Sequence, residues 1–176
     1  MYPFYCFFIK FLQPHFRKYH MKIKFSPIAY VHNSRKEITD DFWGGIVSEI
    51  TLVEEFTEDA LIGIEEFSHL EIIFYFDKVM PEDIRTSAGH PRGNSNWPET
   101  GIFAQRGKNR PNRIGLTVVK LHKREGRKLF VSGLDAISGT PILDIKPVIR
   151  EFQPVGEIKQ PKWAGELMKE YWKRDK

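Results

Sequence analysis

Residues 101–121 read GIFAQRGKNRPNRIGLTVVKL, and residues 131–147 read VSGLDAISGTPILDIKP. The fold turns on how these two stretches are read. Residues 114–122 and 128–134 are rich in β-branched and apolar side chains and flank Glu125 and Gly126. Turn chemistry between two such runs predicts a β-hairpin. Ser138-Gly139 marks a second turn, followed by a strand over 142–145. None of these strands needs Arg106, Arg110, Asn112, Asp135 or Asp144 for its own packing. Polar groups set at the ends of apolar runs point to a built site beside the sheet.

Working outward, residues 68–79 (SHLEIIFYFDKV) give the strongest strand pattern, apolar on both faces across 72–76. That suits a buried strand. Residues 45–53 alternate, with Ile46, Ser48, Ile50 and Leu52 on one face, and 22–32 read as a strand interrupted near Pro27. Residues 101–104 read as a short strand. Thr57 and the acids after it cap a predicted short helix over 60–64. Residues 80–100 hold three prolines, two glycines and small polar residues and read as one long loop, a class that is usually functional or disordered. Residues 161–173 place Trp163, Ala164, Leu167, Met168, Tyr171 and Trp172 on one wide helical face. The count is six or seven strands, mostly antiparallel. No βαβ alternation is present, no G-x-G-x-x-G follows a strand and no P-loop occurs, so a Rossmann domain is not expected. The expected architecture is mainly β: a compact, predominantly antiparallel β-barrel with a short helix and a C-terminal helix.

The chain has 176 residues, 41% apolar and 14% aromatic, enough for one domain with a real core. The formal charge of +4 is uneven: residues 1–20 hold Lys10, Arg17 and Lys18 and no acid, and without them it is +1. Global charge therefore gives no argument for nucleic acid, and only local clusters can. No run of about 18 apolar residues predicts a membrane span. Cys6 is the only cysteine, which excludes a disulfide framework and a cysteine-based zinc site. Cytoplasmic residence is the expectation. Residues 1–20 are dense in aromatics, lack a basic n-region and a small-residue cleavage site, and fit a secretory signal poorly. They read as an extension outside the domain, with Met21 a candidate start. A docked helix and a membrane-surface segment are the alternatives. The domain itself is expected over 21–176.

Three further groups of residues carry a resemblance. Phe103-Ala-Gln-Arg106, then Arg110-Pro-Asn-Arg-Ile-Gly-Leu116, then residues 135–147 (DAISGTPILDIKP) resemble the ordered motifs of the TsaA-like family, also called the TrmO family. Glu66-Phe-Ser-His-Leu70 resembles a fourth element, and residues 28–34 resemble the family's opening strand and loop. The resemblance implies a β-barrel that binds S-adenosylmethionine without a Rossmann fold, forms homodimers, and methylates N6 of N6-threonylcarbamoyladenosine at tRNA position 37. It implies cofactor contacts at Asn33, Ser34, Arg35, Ser68, His69, Arg106, Leu116, Asp135, Ala136, Ile137 and Ser138. Four places depart from the family pattern: Gln105 for Thr, Arg113 for Pro, Ser138 for a second acid, and residues 33–35 for a Ser-Pro-Tyr-like loop. Longer members of the family carry a C-terminal extension after the barrel, and this sequence runs about thirty residues past Pro147. These departures keep two alternatives open: a methyltransferase of this fold on another substrate, and a non-catalytic module that binds the cofactor and regulates a partner.

The residues fit that ligand on chemical grounds. S-adenosylmethionine needs an acceptor for its diol or amine, a cation for its carboxylate and apolar contact for its adenine. Asp135, Arg106, and Leu116 with Ile137 offer these, and a guanidinium grips a carboxylate with two parallel hydrogen bonds. The bland reading of Asp135 and Ser138 is turn capping. Lys108, Arg110 and Arg113 lie close together on a loop and are candidates for tRNA phosphates; a solvated or internally tied loop is the alternative. Ser68 and His69 are adjacent in a strand, where side chains alternate, so they are not expected to touch. No second ligand stands at metal spacing from His69 or His90, and no metal is expected. Asp144 and Lys146 share a face by period two, either as a local ion pair at a sheet edge or as groups that orient the site. Phe42, Trp43 and Trp97 are candidates to stack on an exposed base. A general base is not singled out among Asp135, His69 and Asp144.

Overall fold

The computed structural model describes residues 22–175, so the readings for residues 1–20 lie outside the described residues. Six strands close into an antiparallel barrel: β1 (Ala29–His32), β2 (Val47–Leu52), β3 (His69–Tyr75), β6 (Ile114–Glu125), β7 (Lys128–Ser132) and β8 (Pro141–Pro147). Around the barrel the order is β1, β2, β7, β6, β3, β8 and back to β1. β4 (Ala88–Gly89) and β5 (Thr100–Gly101) form a separate two-stranded ribbon. Closure leaves no barrel strand with an unpaired edge.

Period-two alternation decides which side chains fill the barrel. Ser48, Ile50 and Leu52 of β2 are buried, as are Leu70, Ile72 and Phe74 of β3 and Thr117, Val119 and Leu121 of β6. Burying each large apolar side chain contributes about 1.5–3 kcal/mol. The intervening Leu116 and Val118 face solvent, 43% and 47% exposed. β3 is less doubly buried than its apolar run predicts, because Ile73 and Tyr75 are only half-buried on the outer side. A bulge in β8 lies opposite Ile73 and Phe74.

The helical expectations shrink. In place of a helix over 60–64 there are two 3-10 turns, Glu58–Leu61 and Ile64–Glu66. Gly63 between them sits at φ 80°, in the left-handed region that ends a helix. The C-terminal helix α1 spans only Lys162–Leu167. Beyond it the carbonyls of Glu170, Tyr171 and Lys173 accept from the N–H groups of Phe42, Trp43 and Gly44 at 3.3, 2.8 and 3.0 Å. Backbone partners on another segment replace the next helical turns. The long loop over 80–100 contains β4 and two 3-10 turns, and 101–104 is the end of β5 followed by a 3-10 turn rather than a strand. No helix among the described residues is long and apolar enough to cross a membrane.

Candidate functional site

β1 runs antiparallel to β8, so the loop after β1 and the turn before β8 meet at one barrel end. Ser48 puts a hydroxyl inside the barrel, fully buried, and a buried hydroxyl needs a partner. Asn33 supplies it. Its amide donates to Ser48 Oγ and to the Ala136 carbonyl, each at 2.9 Å, while its Oδ1 accepts from the Arg35 N–H at 3.0 Å. The Ser138 N–H donates to the Arg35 carbonyl at 2.7 Å, and the Ile137 carbonyl accepts from Thr140 N–H at 3.1 Å. Asn33, Ser34, Arg35, Ala136, Ile137 and Ser138 are thus one knitted cluster, joined across about a hundred residues of sequence.

Asp135 adjoins the cluster and is held from two sides. Oδ1 accepts from the Thr117 hydroxyl and Oδ2 from the Tyr171 hydroxyl. Burial, with the Asp135 carboxylate next, pushes the Tyr171 phenol far above its ordinary range. The arrangement therefore keeps the proton on the phenol, which stays the donor to Asp135. Arg106 is exposed and donates to the Leu116 carbonyl at 2.6 Å. Arg106 and Asp135 so attach to consecutive residues of β6, Leu116 and Thr117. No ion pair joins them among the described residues.

Ser68 and His69 stand apart from this cluster. His69 pairs with Lys120, three residues along β3 from Ile72, the partner of Thr117. That is about 10 Å along the strand. The two side chains do touch, contrary to the strand expectation: Ser68 Oγ lies 2.8 Å from His69 Nδ1. Ser68 precedes β3, so strict alternation does not govern it.

The basic loop is more internally tied than its sequence suggests. Lys108 pairs with Asp40 at 3.1 Å, Arg110 donates to the Gln105 carbonyl at 3.2 Å, and Arg113 donates to the Val79 carbonyl at 2.8 Å while lying 4.7 Å over the Tyr75 ring. Asp144 pairs with Lys146 at 2.5 Å on the exposed face, and in a closed barrel there is no edge for them to guard. Trp97 donates to Glu166 at 2.8 Å and packs near Trp163. Among the described residues no group of three or more His, Cys, Asp or Glu is placed to hold a metal ion.

A cleft of about 690 Å³ opens beside the cluster, lined by residues of 34–47 and by Arg174 and Asp175. It includes Ser34 and Arg35 of the predicted set, and neither Arg106 nor Asp135. The expectation that one shared pocket holds those two is not met by this cleft. Its walls are set by the tail. Gly44 packs so tightly on it that a Cβ there would sit 1.9 Å from the Trp172 carbonyl oxygen. Trp43 is buried beneath the Arg35 guanidinium, 4.5 Å from its ring centre. Phe42 takes φ 63° and turns outward to line the cleft. For a bulky residue that conformation costs about 1–3 kcal/mol.

Tyr171, Thr117 and the tail are absent from the sequence-derived site, and Phe42 enters it only as a base-stacking candidate beside Trp43 and Trp97. Ser48 carried a usable signal, a hydroxyl on an otherwise apolar face. Tyr171 carried none, since it reads as part of an apolar helix face.

The profile of tRNA-methyltransferase O N-terminal domains matches residues 38–153. The chain belongs to that family. A human relative named tRNA (adenine(37)-N6)-methyltransferase is 43% identical over 104 residues, covering 59% of this chain and 23% of its own length. A Pyrococcus abyssi relative, named a probable S-adenosyl-L-methionine-binding protein, is 34% identical over 75% of this chain and 71% of its own. The crystal structure of TrmO from P. aeruginosa superposes with TM-score 0.66 at 28% identity, covering 81% of this chain and 62% of that one. This chain thus spans less than a quarter of the human relative and under two thirds of that TrmO. Family membership and barrel were both expected from the motifs, and both are found.

Proposed function

We propose that this chain is an S-adenosylmethionine-dependent tRNA methyltransferase, acting on N6 of N6-threonylcarbamoyladenosine at position 37. The names of the relatives support the reaction class. The observation that carries the reading is the knitted cluster of residues 33–35 and 136–138 with the oriented Asp135 beside it. The donor set fits the cofactor: Asp135 keeps lone pairs free after two hydrogen bonds, Arg106 spends one nitrogen on Leu116, and Leu116 is exposed. Asp135 would take the diol or amine, Arg106 the carboxylate, and Leu116 and Ile137 the adenine. Ser68 and His69 would extend the same site along β3. When bound, the cofactor supplies a methyl group already activated by a positive sulfur. The chain's part is to align the acceptor amine with it, and positioning can supply most of the acceleration. Lys108, Arg110 and Arg113 would border the RNA surface. A homodimer, cytoplasmic residence and the absence of metal belong to the same proposal.

The test is incubation with methyl-labelled S-adenosylmethionine and tRNA carrying the modified adenosine, followed by nucleoside mass spectrometry. Label in the N6-methylated nucleoside is expected. Label in a different nucleoside would move the substrate assignment. One observation favours a second reading, a binding module without catalysis: both Asp135 oxygens already have partners within the chain. Calorimetric cofactor binding with no methylated product would select it.

A further inference from the structure

We infer that the cleft beside Phe42 receives one unpaired nucleotide of an RNA loop, its base stacked on the Phe42 ring and its flanking phosphates on Lys36 and Arg174. The inference rests on the methyltransferase reading and names where its RNA would sit. The cleft, about 690 Å³, falls within the usual range of ligand pockets. Phe42 is 37% exposed while neighbouring Trp43 is 4% exposed. The left-handed backbone at Phe42 is braced by its N–H on the Glu170 carbonyl and by Arg35 donating to its carbonyl at 3.0 Å. The chain thus spends backbone strain to keep a ring in the open, where an unstacked base can lie on it and a paired base cannot.

The charges agree. Lys36 and Arg174 enter the cleft from two separate segments. Neither side chain has a hydrogen-bond or ion-pair partner among the described residues, unlike Lys108, Arg110 and Arg113. Glu37 and Asp175 also line the cleft, against the cations Arg35, Lys36 and Arg174, and Arg35 is committed to the Asp41 and Phe42 carbonyls. Ser34 and Arg35 belong to both the cleft and the cluster, so a base on Phe42 would lie next to the proposed cofactor site.

The experiment uses the full chain with a fluorescein-labelled anticodon stem-loop RNA, read by anisotropy across a salt series, and S-adenosylmethionine, read by calorimetry. Phe42→Asn keeps a residue that tolerates the left-handed backbone and removes the ring. It should weaken RNA binding about tenfold, within the range for one lost base–aromatic stack. Lys36→Gln with Arg174→Gln should lower the salt slope by about 1.4, two contacts at roughly 0.7 each. Both variants should bind S-adenosylmethionine within about twofold of the parent. Unchanged RNA affinity and slope in both variants overturns the inference. An equal loss of cofactor affinity overturns it too, since the cleft would then be the cofactor's. A parent chain that binds the cofactor and no RNA sinks the tRNA reading itself. A parent that binds RNA while the variants match it sinks only the cleft.

Discussion

The end of the barrel formed by residues 33–48 and the tail differs from the basic loop over 106–113 in what its polar groups are tied to. At the barrel end, partners come from far away in sequence: Asn33 with Ala136, Asp135 with Tyr171, Phe42 to Gly44 with residues 170–173. In the loop the cations themselves are spent inside the fold: Lys108 on Asp40, Arg110 on the Gln105 carbonyl, and Arg113 on the Val79 carbonyl and the Tyr75 ring. The loop looks like the functional region because its charges are dense. The barrel end has sparser charge, yet it holds an open cleft and two cations with no described partner. Density of charge is therefore a poor guide to what charge is available for a ligand.

The comparison breaks most visibly at its glycines. A Cβ on Gly44 would meet the Trp172 carbonyl at 1.9 Å, and a backbone atom cannot swing aside. Gly44→Ala should cost about 3 kcal/mol in urea unfolding, the upper part of the range for overpacking. Gly107, in the basic loop, has nothing within 4 Å of its would-be Cβ. Gly107→Ala should change stability by less than about 0.5 kcal/mol. Equal effects would mean that the tail does not dock on residues 42–44.

Tyr171→Phe sharpens the same contrast. It removes one of two hydroxyls from a carboxylate and should cost about 2 kcal/mol, as for hydrogen bonds to charged groups. The pH dependence tests whether the fold holds the phenol protonated, through burial first and the Asp135 carboxylate next. Folding raises the phenol above its ordinary value of 10.0, so the protonated form is the one the fold favours. That contribution is complete below pH 10.0 and is lost as pH rises through the folded value. Stability of the parent should therefore fall more steeply above pH 10 than that of Tyr171→Phe. Parallel curves would remove the hydroxyl from any role at Asp135.

Much of the barrel was legible because closure is written in alternation. Ser48, Ile50 and Leu52, and the run from Leu70 to Phe74, declare an inside and an outside on their own. The residues of the 33–35 loop and the 135–138 turn were named from motifs, and the structure brings them together. The tail was misread because Trp163, Leu167 and Tyr171 fit a helical period. The helix ends at Leu167, where carbonyls further on find N–H partners on Phe42, Trp43 and Gly44. Pairing between segments well over a hundred residues apart leaves no periodic trace. The exposed Phe42 was indistinguishable from the buried Trp43 for the same reason: its left-handed φ is imposed by those partners.

Arg113→Ala should cost about 2 kcal/mol, combining a cation–π contact of about 0.5–1 kcal/mol with a guanidinium hydrogen bond of about 1.5 kcal/mol to the carbonyl of buried Val79. If the loop is a scaffold first, this loss of stability should exceed any loss of RNA affinity in the same variant. A tenfold drop in stem-loop binding with stability unchanged would return the loop to the primary RNA role.

The smallest effect is expected at Lys108. Its pair with Asp40 is 3.1 Å long, but the two side chains are 38% and 51% exposed. Water and salt screen such a pair, and measured exposed pairs contribute about 0.2–1 kcal/mol. Lys108→Ala should therefore shift stability by about 0.5 kcal/mol or less. Asp40 would keep the Arg92 guanidinium nearby, since Arg92 also donates to its carbonyl at 3.1 Å. The informative quantity is the RNA salt slope. Because Lys108 already has an acid at hand, a phosphate must compete with Asp40 for it, so the slope should fall by less than the roughly 0.7 of one full contact. A full-contact loss would show that the ion pair opens to admit RNA, and the loop would then rank with the cleft.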